Sequence, residues 1–425
     1  MDTFASLISP LEDTDFFDSY WQKQPLYLSR GEDYYKNLIS MQDIDTLIAQ
    51  HSMDRRFVLT YVNGHEASNF AEIKIEHAHG ADGAIDYESV CQAFARGNSL
   101  RVGRTEQFSA SVRQVTNALE SRLSASATAN TYITPRHQQM IGRHADPHDV
   151  FLLQTDGKKH WKVYAPSQDR PLAYGITVGS HKFSGPYGKY RLGRHSPGKY
   201  ATVLTTQYGT DDLLLDITLT PGDLLYIPRG FDHEATTSDD LSMHITVGVY
   251  GYSWHIAAVY ALSRLVEEHG EFRDFLPHDL PTRDLDAAGI EKTSARIAEL
   301  VRTHLRAEHI KDALGEIANC LADGRDPIPV RGHLADVDRT RALDLDDDVK
   351  IPENLTWDVG MNGEHVRLDL DDGRKLRLPA RVKPLLEFMA REERFRVGDL
   401  PATFDDQSKK VLVQHLVKKG LLTFA

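Results

Sequence analysis

Cysteine is almost missing. Cys91 and Cys320 are the only two in 425 residues, too few and too far apart for a disulfide framework or a thiolate zinc site. No apolar run reaches the roughly 18 residues needed to cross a bilayer. The opening "MDTFASLISPLEDTDFF" lacks the basic-then-apolar order of a secretion signal. A soluble cytoplasmic protein without membrane partners is expected. Positive charge is short as well: 49 Lys and Arg face 62 Asp and Glu, for a net charge of -13. That balance excludes bulk nucleic-acid binding, which needs a basic surface. It suits a basic protein or peptide partner, and equally serves solubility alone. What is present is 41% apolar residues, enough for several cores, in a length that suits two or three domains.

The texture changes twice along the chain. Before Asn130, helical and strand signals mix. "FVLTYV" is β-branched and aromatic and reads as a strand, whereas Ser109 to Ala125, "SASVRQVTNALESRLSA", has apolar residues at helical spacing. From Asn130, short apolar runs follow one another with Gly, Pro and Asp between them: "NTYITP", "DVFLLQT", "HWKVYAP", "LLLDITL", "GDLLYIP" and "MHITVGVYGY". Such a series indicates a β-sandwich or barrel. After Tyr252, "WHIAAVYALSRLVEEHGEF" and "TSARIAELVRTHLRAEHIKDALGEIANCLAD" read as amphipathic helices. The last part pairs a hairpin signal around Asp371–Asp372–Gly373 with helices, the pattern of a winged helix. From Ala342 onward it carries 16 acidic and 14 basic residues, so a protein contact is expected of it and no direct DNA binding. The resulting division is 1–252, 253–340 and 341–425.

The chemistry concentrates in "GRHADPHDVFLLQ". Residues two apart on a strand share a face, so His144 and Asp146 can bind one metal together. A third ligand is supplied best by His233 in "PGDLLYIPRGFDHEATT", beyond a turn and a strand. Two His and one carboxylate make the facial triad of non-haem Fe(II) oxygenases. Zinc hydrolases use the same set, and geometry alone does not choose between them. His148 shares the face of His144 and Asp146, which would suit a two-metal hydrolase. With Pro147 breaking the strand, His148 and Asp149 read instead as turn or rim residues. His244 reads as a satisfied core histidine near the metal, Trp161 and Tyr164 read as core, and Arg229 as a turn cap or a substrate contact.

In order along the chain, "FFDSYWQKQPL", "ANTYITP", "HADPHDVFLLQTDGKKHWKVY" and "GDLLYIPRGFDHEA…SMHITVGVY" resemble the JmjC-type ribosomal oxygenases. These are cupin-like protein hydroxylases dependent on Fe(II) and 2-oxoglutarate. The resemblance extends into the helical and winged-helix parts. It implies an α+β chain: a double-stranded β-helix (cupin/JmjC) barrel, a helical dimerisation domain and a C-terminal winged helix. It also implies Fe(II) on His144, Asp146 and His233, and 2-oxoglutarate as co-substrate. Lys159 in "GKKHW" matches the residue that pairs with the distal carboxylate, and Asn130 matches a polar residue lining the same pocket. A dianion chelating a metal at one end needs a cation at the other. Lys158 falls on the opposite face and should be solvated. The implied activity is hydroxylation of an Arg or His side chain of a ribosomal protein, by a homodimer. Another peptide, such as a secondary-metabolite precursor, is the alternative substrate, and a non-catalytic cupin the alternative class.

Two segments depart from the family pattern. The span between Asp146 and His233 is longer than usual, and its residues 181–200, "HKFSGPYGKYRLGRHSPGKY", carry five Lys or Arg and no acid. This basic loop is expected to act as a lid over the substrate. "PRHQQMIGRHAD" also replaces a smaller, Gly-rich approach to the first ligands.

Overall fold

The computed structural model describes residues 4–49, 58–62, 65–66, 87–167, 170–171, 174–175, 193–194, 212–275, 287–323, 333–352, 355, 357–362, 365–370 and 374–425. Apart from Gly193 and Arg194, the basic loop expected to act as a lid lies outside the described residues. So does the turn at Asp371–Gly373.

The chain begins with α1 (Phe4–Ile8), α2 (Asp13–Ser19), β1 (Leu26–Leu28), α3 (Met41–Ala49), β2 (Val58–Val62), β3 (His65–Glu66), α4 (Tyr87–Ala95), β4 (Ser99–Val102) and α5 (Ala110–Leu123). Ser109 caps α5 by accepting the N–H of Val112. Ser124 ends it in the left-handed region at φ 49°, so Ala125 already starts a strand. The barrel strands are then β5 (Ala125–Thr134), β6 (His144–Ala145), β7 (Asp149–Gly157), β8 (Lys159–Pro166), β9 (Tyr174–Gly175), β10 (Gly193–Arg194), β11 (Leu213–Leu219), β12 (Leu224–Ile227), β13 (Phe231–Thr236) and β14 (Ser242–Gly251).

Two sheets carry the architecture. The larger runs β1-β12-β7-β14-β5-β4-β2-β3 and the smaller β11-β8-β13-β6, while β9 and β10 pair separately. Alternation along "DVFLLQ" decides which side chain goes where. Val150 and Leu152 turn inward and meet Trp161, Val163 and Leu219 of the smaller sheet. Phe151 and Leu153 turn outward into a core completed by Phe4, Phe16 and Leu119 of the covering helices. With both faces covered, this strand reads as a continuous apolar run. The N-terminal motif "FFDSYW" supplies the cover. Phe16 packs edge-on to Tyr226 at 5.2 Å and Trp21 stacks on it at 5.9 Å. Each such buried ring contributes about 1.5–3 kcal/mol by leaving water.

Beyond the barrel lie α6 (Trp254–Glu268), a 3-10 turn at Gly270–Arg273, α7 (Ala287–His304) and α8 (Ala307–Asp323). The stretch read from sequence as one helical run is two helices, broken at Leu305 and Arg306. Ile256 and Ala257 of α6 pack against Ile317 of α8. By contrast, α7 is exposed along most of its length. The remainder is α9 (His333–Arg339), β15 (Asp348–Lys350), β16 (Trp357–Asn362), β17 (His365–Leu370), β18 (Lys375–Pro379), α10 (Lys383–Glu392), β19 (Arg394–Arg396), α11 (Asp406–Lys418) and β20 (Thr423–Phe424). Its sheets, β16-β17-β18 and β19-β15-β20, share a core of their own around Val349, Val366, Leu385, Val413 and Leu416. Gln414 of α11 donates to the carbonyl of Thr340 at 2.8 Å, tying the chain just after α9 to this core. No helix among the described residues is long and apolar enough to cross a membrane.

Candidate metal centre

Strand pairing assembles the triad. β13 runs antiparallel to β6 with His233 opposite His144, which sets the two imidazoles 4.3 Å apart by ring centroids. Nδ1 of His144 faces the carbonyl of Gly142 at 2.7 Å, and Nδ1 of His233 faces that of Phe231 at 3.1 Å. Each Nδ1 therefore carries the ring proton, and each Nε2 keeps its lone pair for a metal. Asp146 Oδ2 lies 3.7 Å from Nε2 of His233, and one ligand atom from each of the three residues falls within 4.8 Å of the others. Burial, helped by His144, pushes His233 down to about 4, so it is neutral at working pH. Burial works against the Asp146 carboxylate, but His148, His144 and His233 together hold it below the ordinary range. Beneath β13, Arg143 pairs with the fully buried Asp232 at 3.1 Å and braces the strand that carries His233.

The triad opens onto a cavity whose lining includes Tyr132, Lys159, Trp161, His244 and Thr246. Lys159 begins β8 immediately after a tight turn at Gly157. That glycine sits at φ 58°, and a Cβ there would lie 1.7 Å from the carbonyl oxygen of Leu241, so no other residue fits without moving backbone. The Lys159 ammonium donates to Thr134 Oγ1 at 2.9 Å, and only 3% of the residue is exposed. No carboxylate among the described residues pairs with it, and burial alone pushes it down to about 7. Two more buried polar atoms on this lining, Nδ1 of His244 and Nε1 of Trp161, have no hydrogen-bond partner. His244 stacks on Tyr132 at 5.2 Å. Burial, with Lys159 adding to it, holds its pKa well below the usual histidine range. Unmet polar groups beside an unpaired cation are the features an oxygen-rich anion would satisfy, and the donor set at the other end fits a hard or borderline divalent metal.

The expected residues are thus distributed as follows. His144, Asp146, His233 and Lys159 line one cavity. Asn130 shares the strand face of Tyr132 and Thr134, yet its Oδ1 accepts the N–H of Arg104 at 3.2 Å. It is not part of the lining, where Tyr132 is found, while Thr134 holds the lysine. His244 is not a satisfied core histidine, since it lines the cavity with one nitrogen unmet. His148 stays outside the triad and packs on Tyr250 at 4.5 Å. With Arg229 it lines a second cleft toward α6 and α8, and Arg229 also donates to the carbonyl of Pro171 at 3.1 Å. Lys158 is half exposed and faces Asp240 at 3.8 Å, as expected of a solvated residue. Alternation in "TANTYITP" is the signal that could have found Tyr132 and Thr134.

A JmjC domain matches residues 104–177 and 194–256. Ribosomal oxygenase 1 of Danio rerio is 32% identical over 287 residues, 65% of this chain and 46% of that protein. The bifunctional lysine-specific demethylase and histidyl-hydroxylase NO66 of Aedes aegypti is 29% identical over 284 residues, 65% of this chain and 40% of that protein. The chain thus spans less than half the length of these two relatives. Among solved structures, the X-ray structure of Escherichia coli ycfD superposes with a TM-score of 0.51 at 19% identity, covering 98% of this chain and 99% of that one. YcfD described as a ribosomal oxygenase in complex with cobalt and 2-oxoglutarate gives 0.50 at 18%, covering 98% of each. These likenesses establish the fold: a JmjC, cupin-like barrel within a chain of mixed helices and sheets. The chain carries a match to a JmjC domain over residues 104–177 and 194–256, and the resemblance to the JmjC-type ribosomal oxygenases read from its motifs is borne out.

Proposed function

We propose that the protein is an Fe(II)- and 2-oxoglutarate-dependent oxygenase that hydroxylates an Arg or His side chain of a ribosomal protein. The observation that carries this reading is the buried, unpaired Lys159 in the same cavity as the His144–Asp146–His233 triad. Iron held by those three residues would supply activation of O2, coupled to conversion of 2-oxoglutarate into succinate and CO2, with the second oxygen atom delivered to a substrate C–H bond. The chain's own residues do the rest. Lys159, held by Thr134, binds the distal carboxylate. Tyr132, Trp161 and His244 wall the co-substrate and exclude water. Asn130 steadies the turn at Arg104 from the same strand.

A basic target fits the surroundings. Glu234 also lines the cavity, where the hydroxyl of Tyr164 and the side-chain amide of Gln139 hold its carboxylate at 2.8 and 3.3 Å. A fixed carboxylate beside the triad, on a body of net charge -13, attracts and orients an Arg or His side chain. The relatives named for ribosomal oxygenase and histidyl-hydroxylase activity support the same class. The decisive experiment incubates the protein with Fe(II), 2-oxoglutarate and ribosomal proteins from its own source. Succinate should form, and one ribosomal peptide should gain the mass of one oxygen. Succinate without any modified peptide would overturn the substrate assignment.

Three domains complete the reading: a catalytic domain over 1–252, a helical dimerisation domain over 253–340 and a winged helix over 341–425, in a cytoplasmic homodimer. Dimerisation is supported by α7. Ile290 and Ile297 lie two turns apart on one face of it and are 53% and 58% exposed, an apolar stripe that a second copy would cover.

A further inference from the structure

Outside the barrel, the junction where α6, the 3-10 turn, α7 and α8 meet gathers three imidazoles and two carboxylates. His309 is buried, and the backbone N–H of Arg306 donates to its Nδ1 at 2.9 Å. The ring proton is therefore on Nε2, which donates to Glu268 Oε2 at 3.0 Å. The same carboxylate oxygen lies 4.0 Å from Nε2 of His269. The ring of His269 in turn lies against that of His304, tilted by 35° with centroids 4.0 Å apart. Finally, Nε2 of His304 lies 2.6 Å from Glu271 Oε2. That approach lacks hydrogen-bond geometry, and the buried nitrogen has no hydrogen-bond partner.

Hydrogen bonding alone leaves this arrangement incomplete. A buried imidazole nitrogen pressed on a carboxylate without sharing a proton is an unmet polar atom. Two imidazoles this close could not both be charged without repulsion. A cation between the donors removes both difficulties. A zinc-class ion takes imidazole nitrogen and carboxylate oxygen at about 2.0–2.2 Å; Glu268, His269 and His309 already bring one donor atom each within 4.8 Å of one another, and Glu271 Oε2 lies 2.6 Å from His304 Nε2 beside them. With no thiolate present the site is not soft, and with two imidazoles it is not a calcium or magnesium site. The N–H of His309 on Glu268 is the hydrogen bond by which an outer residue aims a ligating carboxylate. Half-exposed Glu268 and Glu271 leave a path to solvent.

We propose that His269, His304, Glu268 and Glu271 hold a zinc-class divalent cation, separate from the barrel triad, with His309 as the residue that positions Glu268. The ion ties the C-terminal end of α7 to α6 and the 3-10 turn. It thereby fixes the direction in which this otherwise exposed helix projects.

The test uses the full chain, stripped with a chelator and titrated with Zn²⁺ alone, with bound metal counted by elemental analysis. Two equivalents are expected. His233→Ala should lose one, His304→Ala the other, and the double variant both. Glu271→Gln, which keeps shape and removes charge, should weaken the second equivalent at least tenfold. His309→Gln should weaken it by about ten- to a hundredfold, the usual effect of losing an outer partner, with two equivalents still reached at saturation. Circular dichroism checks the folding of each variant, and Glu271→Gln decides the matter if His304→Ala unfolds. A single equivalent in the unaltered chain would overturn the proposal. So would a second equivalent that survives both His304→Ala and Glu271→Gln. Turnover is not measured, so the outcome is independent of the oxygenase reading.

Discussion

The ammonium of Lys159 and the hydroxyl of Thr134 are joined by a 2.9 Å hydrogen bond across the inner face of the barrel. Thr134 is fully buried at the end of β5 and fixes where the cation sits. A charge-assisted bond of this kind contributes roughly 1.5–3 kcal/mol. Lys159→Ala is therefore expected to raise the KM for 2-oxoglutarate by about ten- to a hundredfold, at about 1.4 kcal/mol per decade, with iron binding retained. Lys158→Ala should change nothing. The opposite pattern would move the co-substrate contact to the exposed lysine.

The same lysine makes co-substrate binding depend on pH. Burial pushes Lys159 down to about 7 in the free protein, and a bound carboxylate must raise it again. Binding is then at full strength below pH 7. Above it, binding takes up a proton and weakens by up to tenfold per pH unit. Calorimetry at pH 8 in two buffers of different ionisation enthalpy should show this uptake, approaching one proton, and almost none at pH 6. Lys159→Arg, which stays charged throughout, should abolish the dependence. A flat affinity from pH 6 to 9 in the unaltered protein would contradict it.

Removing either triad imidazole should leave the barrel folded and the metal unbound at its centre. His144→Ala and His233→Ala each take away a nitrogen whose tautomer a backbone carbonyl has already set. Loss of 2-oxoglutarate turnover, with Fe(II) no longer retained in the barrel and an unchanged melting profile in chelator, is the expected outcome. Full activity in either variant would remove that residue from the ligand set.

Much of the site was readable because strand alternation is local. The spacing of His144 and Asp146 puts both on one face whatever else the barrel does, and "GDLLYIPRGFDHEA" carries its own turn and strand signals up to His233. Lys159 came from the resemblance, and its burial agrees with the role. What was not readable depends on register. His244 lies opposite Tyr132, a pairing between strands more than a hundred residues apart, so nothing in "SMHITVG" says that the imidazole faces a cavity. β5 begins with "ASATAN", small residues of low strand propensity that hid its first half. The break at Leu305 and Arg306 was hidden for a similar reason, because the helical period continues across it.

The buried face behind the site should be costly to disturb. The Tyr226 hydroxyl donates to Asp149 Oδ1 at 2.7 Å and accepts the backbone N–H of Gln22 at 2.9 Å, joining the N-terminal segment to β7. Tyr226→Phe keeps the ring contacts with Phe16 and Trp21 and removes only the hydroxyl. It leaves a buried carboxylate oxygen and an amide N–H unmet, a cost of about 1–3 kcal/mol. A lower Tm with unchanged metal content is expected, and an unchanged Tm would show that water reaches both groups.

Assembly gives the last prediction. From Ile290 to Glu299 the side chains of α7 are exposed in the single chain, a costly state for Ile290 and Ile297 unless another surface covers them. Helices this exposed hold their form through tertiary or subunit contacts rather than propensity. Light scattering at micromolar concentration should therefore give the mass of a dimer. Ile290→Glu together with Ile297→Glu should shift it to the monomer, since each substitution places a charge in the apolar stripe while leaving the contact between α6 and α8 untouched. Turnover of 2-oxoglutarate without protein substrate should survive, because the triad and Lys159 lie wholly within one chain. A stable monomer in the unaltered protein, or a dimer indifferent to both changes, would place the interface elsewhere.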